Sequence, residues 1–237
     1  MTGSLDALLA GPQQMSLGER AALEGVLVTL KPSLAIEIGT AEGGSLCRIA
    51  EHSPEIHSFD LVAPDPETVA IEHATLHSGD SHELLPAFLA ELAEAGRNAE
   101  FVLVDGDHSA DGVRLDAEDL LASAAIDRTV ILFHDTANEE VRAGLDAVDF
   151  DAHRKVAHVD LDFVAGSVFS DLSLKDEIWG GLGIVIVDGS QERTVGRSAV
   201  QQRIIPTAQL LREARDHRLS SPVERVRAAV RTRLRGR

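Results

Sequence analysis

The stretch Leu34-Ala-Ile-Glu-Ile-Gly-Thr-Ala-Glu-Gly-Gly-Ser45 decides the fold. Four of its first five residues are apolar, which suits a short strand buried on both faces. Gly39, Gly43 and Gly44 then permit a sharp turn with no Cβ in the way, and a helix begins. A turn of this kind after a first parallel strand is where nucleotide-like cofactors sit in open α/β sheets. The dinucleotide fingerprint G-x-G-x-x-G is not met, because position 41 is alanine. Glu42 at the helix entrance would also repel a pyrophosphate, so a nicotinamide oxidoreductase is disfavoured. Glu37-x-Gly39-x-x-x-Gly43 suits a cofactor with an adenosine, no phosphates and positive charge near the turn. S-adenosylmethionine (SAM) meets that description through its sulfonium and amino groups. On this stretch alone, a plain tight turn explains the residues equally well.

Working outward, Ser16-Leu-Gly-Glu19 resembles a capping box, and Leu23, Val26, Leu27 and Leu30 follow at helical spacing. This predicts an amphipathic helix over 16–30, a first strand over 34–38 and a helix over 43–51. Strands are expected at 56–60, 74–78, 101–105 and 129–134, with helices at 81–95, 110–123 and 138–148. Asp65-Pro-Glu-Thr68 opens a helical or turn segment. The alternation predicts a doubly wound, Rossmann-like sheet, mostly parallel, with helices on both faces. Late strands at 153–163 and 183–188, with no full helix between them, predict an antiparallel hairpin at one sheet edge.

Composition narrows the function. The chain of 237 residues suits one α/β domain with an appendage, here residues 1–190 and 191–237. A single cysteine, Cys47, excludes an internal disulfide framework and a cysteine-rich zinc site. No apolar run reaches membrane-spanning length and no signal-peptide pattern opens the chain, which predicts a cytoplasmic protein without integral membrane association. The net charge of −17 is uneven: twelve Arg against four acids after residue 190 give +8, which leaves −25 for the body. An acidic body disfavours nucleic acid. In the tail, Ser221-Pro222-Val-Glu224 is another capping box, before a thin apolar stripe of Val223, Val226, Val230 and Leu234 among arginines. It reads as a solvated surface helix or as a contact for an acidic partner. The sequence leaves the oligomeric state open, a homo-oligomer included.

The chemistry-bearing residues fall at strand ends, which line the ligand crevice of such sheets. Asp60 ends the second strand and can accept hydrogen bonds from both ribose hydroxyls, as the acid about 20 residues past the turn does in dinucleotide folds. Asp80 suits the adenine amino group and Ser81 the start of the next helix, and either reads equally as a plain N-cap. Asp105-Gly-Asp107-His108 follows the fourth strand and His134-Asp135 the fifth. Two neighbouring carboxylates, Asp105 and Asp135, repel unless they share a cation, and Mg²⁺ prefers oxygen ligands. Such an ion lowers the pKa of a hydroxyl on it. His108 then suits the general base. Asp107 reads as a helix cap. His134 reads either as a metal ligand or as a packed core histidine. Asn138 and Glu139 suit a further ligand or a helix start.

Taken together, Glu37–Ser45, Ser58-Phe-Asp60, Ser78-Gly-Asp80-Ser81, Val104-Asp-Gly-Asp-His-Ser109 and Phe133-His-Asp-Thr136 resemble a class I SAM-dependent methyltransferase of the small-molecule O-methyltransferase type. The nearest groups are the cephalosporin-hydroxylase-like and macrolide-sugar O-methyltransferase proteins. The resemblance runs from Leu34 to Asp188. It implies a seven-stranded sheet whose antiparallel seventh strand is Ile184–Val187. It implies a SAM site at Glu37, Gly39, Thr40, Gly43, Ser45, Asp60, Asp80, Ser81 and Asp105. It implies Mg²⁺ ligands at Asp105, His134 and Asp135, catalytic roles for His108 and Asp105, and a small-molecule hydroxyl as acceptor, of sugar or natural-product type. His134 stands where metal-dependent members often carry an acid, and His108 where a lysine is common. Two further readings are a metal-dependent hydrolase built on Asp105, His108, His134 and Asp135, and a non-catalytic SAM-binding or scaffold protein that uses its basic tail.

Overall fold

In the computed structural model, the residues described here are 14–62, 64, 71–168, 178–190 and 195–196. The expected turn at 65–68 and the whole C-terminal helix lie outside them, as does nearly all of the proposed extension from 191. The chain runs α1 (Leu17–Leu30), β1 (Ala35–Ile38), α2 (Gly44–Ala50), β2 (Ile56–Asp60), β3 (Ala74–Ser78), α3 (Ser81–Glu94), β4 (Phe101–Val104), α4 (Ala110–Ala122), β5 (Arg128–His134) and α5 (Glu139–Asp146). A 3-10 turn, Phe150–Ala152, leads to β6 (Val156–Val164), β7 (Ser167–Val168), β8 (Ile178–Trp179) and β9 (Leu182–Asp188).

The main sheet has the order β3-β2-β1-β4-β5-β9-β6. The first five strands in that order are parallel, and β9 is antiparallel to both its neighbours. The antiparallel pair therefore stands at the expected end of the sheet, with the edge itself held by β6 and β9 one place inside. The predicted seventh strand extends two residues earlier, to Leu182. β7 and β8 form a separate two-stranded ribbon.

Alternation along buried strands assigns the helices. Leu34, Ile36, Ile38, Val102, Val104, Ile131 and Phe133 share one core with residues of α3, α4 and α5, such as Leu89, Leu120 and Leu145. Ala35, Phe101, Leu103 and Leu132 share the other with Leu23 and Leu27 of α1 and Leu46 and Ile49 of α2. With both faces covered, β1 and β4 are buried at every residue, which is why they read as continuous apolar runs. Truncating a central side chain such as Leu27 to alanine costs roughly 2–5 kcal/mol. The order reverses between β1 and β4, and the polar residues at their carboxyl ends face the crevice that this switch point opens. Among the described residues, no helix is long and apolar enough to cross a membrane.

Candidate active site

The turn after β1 is built for close backbone approach. Gly39 has φ +86°, and a Cβ on it would lie 2.0 Å from the Asp105 carbonyl oxygen. No other residue fits there, because β1 and β4 are joined through Asp105 N–H to Ile38 O at 2.7 Å. Gly43, at φ +78°, is the N-cap of α2. Asp60 clamps the turn from β2. Its Oδ2 accepts from the Thr40 N–H at 2.8 Å and the Ala41 N–H at 3.0 Å, and its Oδ1 from the Val62 N–H at 2.9 Å. Burial pushes the Asp60 carboxyl up, but the three backbone bonds outweigh it and hold the group below its usual range. A carboxylate has about four lone-pair sites, so one on Oδ1 remains for a ligand hydroxyl.

Glu37 lies behind this turn and is fully buried. The Ser58 hydroxyl donates to its Oε2 at 2.6 Å and stands 2.6 Å from Thr40 Oγ1. Burial raises the Glu37 carboxyl to about 8, against the hydrogen bonds of Ser45 and Ser58. Glu37 does not line the cleft, whereas Gly39, Thr40 and Ser45 do. Asp80 is the N-cap of α3 and accepts from the His82 N–H at 3.0 Å, yet it also stands on the cleft wall. Ser81 stands beside it, its hydroxyl donating to Asp116 at 3.4 Å.

Across the switch point, the ends of β4 and β5 bring their acids and histidines together. His134 Nδ1 lies 2.9 Å from Asp105 Oδ1 and 3.4 Å from Asp135 Oδ2. His108 Nε2 lies 3.4 Å from Asp105 Oδ1 and 3.2 Å from Asp135 Oδ2. Asp135 adopts the left-handed backbone, φ +54°, uncommon for a residue other than glycine, and accepts from the Gly180 N–H. Despite burial, His134 is raised well above the usual range by Asp105, Asp135 and Glu19. His108 is raised, chiefly by its bond to Asp105. Asp105 is lowered, its two histidine partners overcoming the opposing effect of burial.

Ligand atoms of Asp105, His108 and Asp135 all fall within 4.8 Å of one another, a spacing that a single cation can bridge. Two carboxylates and one imidazole form a donor set that fits Mg²⁺ or Mn²⁺. His134, expected as the third ligand, is not in this group. His134 is only 5% exposed, and its two ring nitrogens face Asp105 and Glu19. It therefore stands behind the pair, whereas His108 faces both carboxylates. The expected N-cap role of Asp107 passes to Ser109, whose hydroxyl accepts from the Gly112 N–H. Asp107 instead accepts from the Ser109 N–H and lines the cleft. Asn138 caps α5, accepting from the Glu140 and Val141 N–H groups, as a helix start would.

Both halves line one cleft of ≈ 1170 Å³. A single ligand site is typically about 300–1,000 Å³, so this cleft has room for a cofactor and an acceptor. Sequence reasoning missed Glu19, Arg20 and Trp179, which also line it. Trp179 stands edge-on to His108, with ring centroids 5.4 Å apart. The signal for this wall was the Gly180-Gly181 pair, whose positive φ angles of +74° and +88° let the backbone reach the strand ends.

Residues 36–136 match the family model of a methyltransferase domain. No curated protein matches the chain. Among solved structures, cofactor-bound Rv0187 from MTB is similar at a TM-score of 0.54 and 14% identity, over 77% of this chain and 85% of that one. An O-methyltransferase from Bacillus cereus, in complex with SAH, is similar at 0.54 and 13%, over 78% and 93%. The O-methyltransferase TomG from Streptomyces achromogenes, in complex with SAM, is similar at 0.51 and 16%, over 74% and 82%. At these identities the likeness is one of fold, and it agrees with the strand order and the glycine turn. Residues 36–136 thus match a methyltransferase domain, and the sheet that holds them has the Rossmann-like fold of these O-methyltransferase structures.

Proposed function

We propose that the chain transfers a methyl group from SAM to a hydroxyl of a small, uncharged molecule. The observation that carries this reading is the single cleft onto which the Gly39 turn and the Asp105/His108/Asp135 cluster both open. SAM supplies an electrophilic methyl group when bound. The turn admits it without a Cβ in the way, Asp60 offers a lone pair to a ribose hydroxyl, and Asp80 offers a carboxylate to the adenine amino group. Glu37 supports the turn from behind. The wall formed by Trp179 and His108 suits a ring carrying the reacting hydroxyl, of sugar or natural-product type. Asp60, Asp80, Asp105, Asp107 and Asp135 on the cleft wall favour a cationic cofactor and disfavour phosphorylated acceptors.

Asp105, Asp135 and His108 would hold a divalent cation, which supplies Lewis-acid assistance to the acceptor oxygen. Without a cation, His108 takes the hydroxyl proton, with Asp105 and Asp135 stabilising the imidazolium. One Nε2 cannot serve both roles, and chelation separates them. Activity lost in EDTA and restored by Mg²⁺ or Mn²⁺ assigns His108 as a ligand. Activity that survives EDTA but not His108→Ala assigns it as the base. The function itself is tested with methyl-labelled SAM and a panel of phenols, sugars and their phosphate esters. We expect label in uncharged O-methyl products, and ester hydrolysis without SAM would favour the hydrolase reading instead. The exposed thiol of Cys47 suits a reducing compartment, so we read the enzyme as cytoplasmic. Self-association and an acidic partner for the basic tail remain separate proposals, tested by light scattering on chains with and without residues 206–237.

A further inference from the structure

Glu19 belongs to the N-terminal helix, outside the matched domain, yet it reaches the catalytic end of the sheet. It is 3% exposed. Its Oε2 completes the capping box by accepting from the Ser16 N–H at 2.5 Å. Its Oε1 accepts from the Gly181 N–H and stands 3.5 Å from His134 Nε2, an ion-pair distance. The far nitrogen of that imidazole is bonded to Asp105. A carboxylate–imidazole–carboxylate chain therefore runs from α1 through β5 to β4. Its two ends are far apart in sequence and are brought together by the packing of Leu23 and Leu27 against the sheet.

The turn opposite is shaped to the same carboxylate. A Cβ on Gly180 would lie 2.7 Å from Glu19 Oε1. Gly180 N–H donates to Asp135 while Gly181 N–H donates to Glu19, so one turn ties both acids and fixes Trp179 beside His108. An ordinary capping glutamate needs none of this, since its second oxygen can face water. Burying a carboxylate is costly unless it is paired and hydrogen-bonded, and here the pairing leads directly to Asp105.

We infer that Glu19 is a positioning residue for methyl transfer: through His134 it fixes the orientation of Asp105, and through Gly181 it fixes the Trp179 wall of the acceptor site. This rests on the function proposed above. Removing partners of this kind typically costs 10–100-fold where they orient a ligating or catalytic group. Glu19→Gln keeps an acceptor for Gly181 and should lower kcat about 10-fold, and Glu19→Ala about 100-fold. The Kd for SAM, read by calorimetry in the same samples, should stay within about twofold of the unsubstituted enzyme, since the cofactor turn is untouched. Leu120→Ala, in α4 on the other face of the sheet from α1, controls for stability. It should lower the melting temperature at least as much as Glu19→Gln while kcat stays within about threefold. Wild-type kcat in Glu19→Gln, or an equal kcat loss in Leu120→Ala, overturns the inference. If the unsubstituted chain binds no SAM, the functional reading has failed instead.

Discussion

The two halves of the cleft use their carboxylates in opposite ways. At the ends of β1, β2 and β3, Asp60 and Asp80 accept from backbone N–H groups, and Glu37 accepts from Ser58. At the ends of β4 and β5, Asp105 and Asp135 face two imidazoles and each other. The first half spends its charge on its own backbone and is a rigid cradle. The second half gathers charge that two imidazoles balance, and chemistry needs groups of that kind. A cofactor with fixed shape suits the first, and proton transfer or a cation suits the second.

The largest effect is expected where the halves touch. Gly39→Val places side-chain atoms against the Asp105 carbonyl and forces a branched residue to φ +86°. We expect a loss of SAM affinity of at least about 100-fold and a lowered melting temperature, read by calorimetry and circular dichroism. A variant that binds SAM normally would show that the turn is not the cradle.

Next come paired substitutions that split the halves. Asp60→Ala frees three backbone donors and should weaken SAM binding about 10–100-fold, leaving kcat at saturating cofactor within about threefold. Asp105→Asn should do the reverse, lowering kcat about 100-fold or more with Kd for SAM little changed. Equal losses of both kinds in both variants would erase the distinction between cradle and reaction centre.

The smallest effect concerns Glu37, raised by burial to about 8 from an ordinary 4.5. An acid whose pKa is raised by folding keeps its proton in the native state while the unfolded chain loses it. The stability it allows is fully present below about pH 4.5 and declines as pH rises to about 8. Glu37→Gln should therefore flatten the fall in urea midpoint between pH 5 and pH 8. An unchanged slope would mean that Glu37 is ionised in the fold.

The parallel order and the strand ends were legible because buried strands are continuous apolar runs and their ends carry acids. Helix starts were legible for a similar reason: Ser16, Asp80 and Asn138 mark them through short-range capping chemistry. Glu19 was not, because its local pattern is satisfied by the capping box. Only the approach of Gly181, 162 residues away, shows its other oxygen engaged. His134 was legible as an ionisable strand end but not as a residue turned toward α1. Ring orientation depends on packing between elements distant in the chain, and spacing carries no record of it.

The central claim is that the turn after β1 holds SAM. Calorimetric titration of the full chain with SAM tests it most directly. The account predicts saturable binding at one site per chain, weakened by Asp60→Ala and not by Asp105→Asn. No heat of binding at millimolar SAM, from a chain shown to be folded, would contradict it.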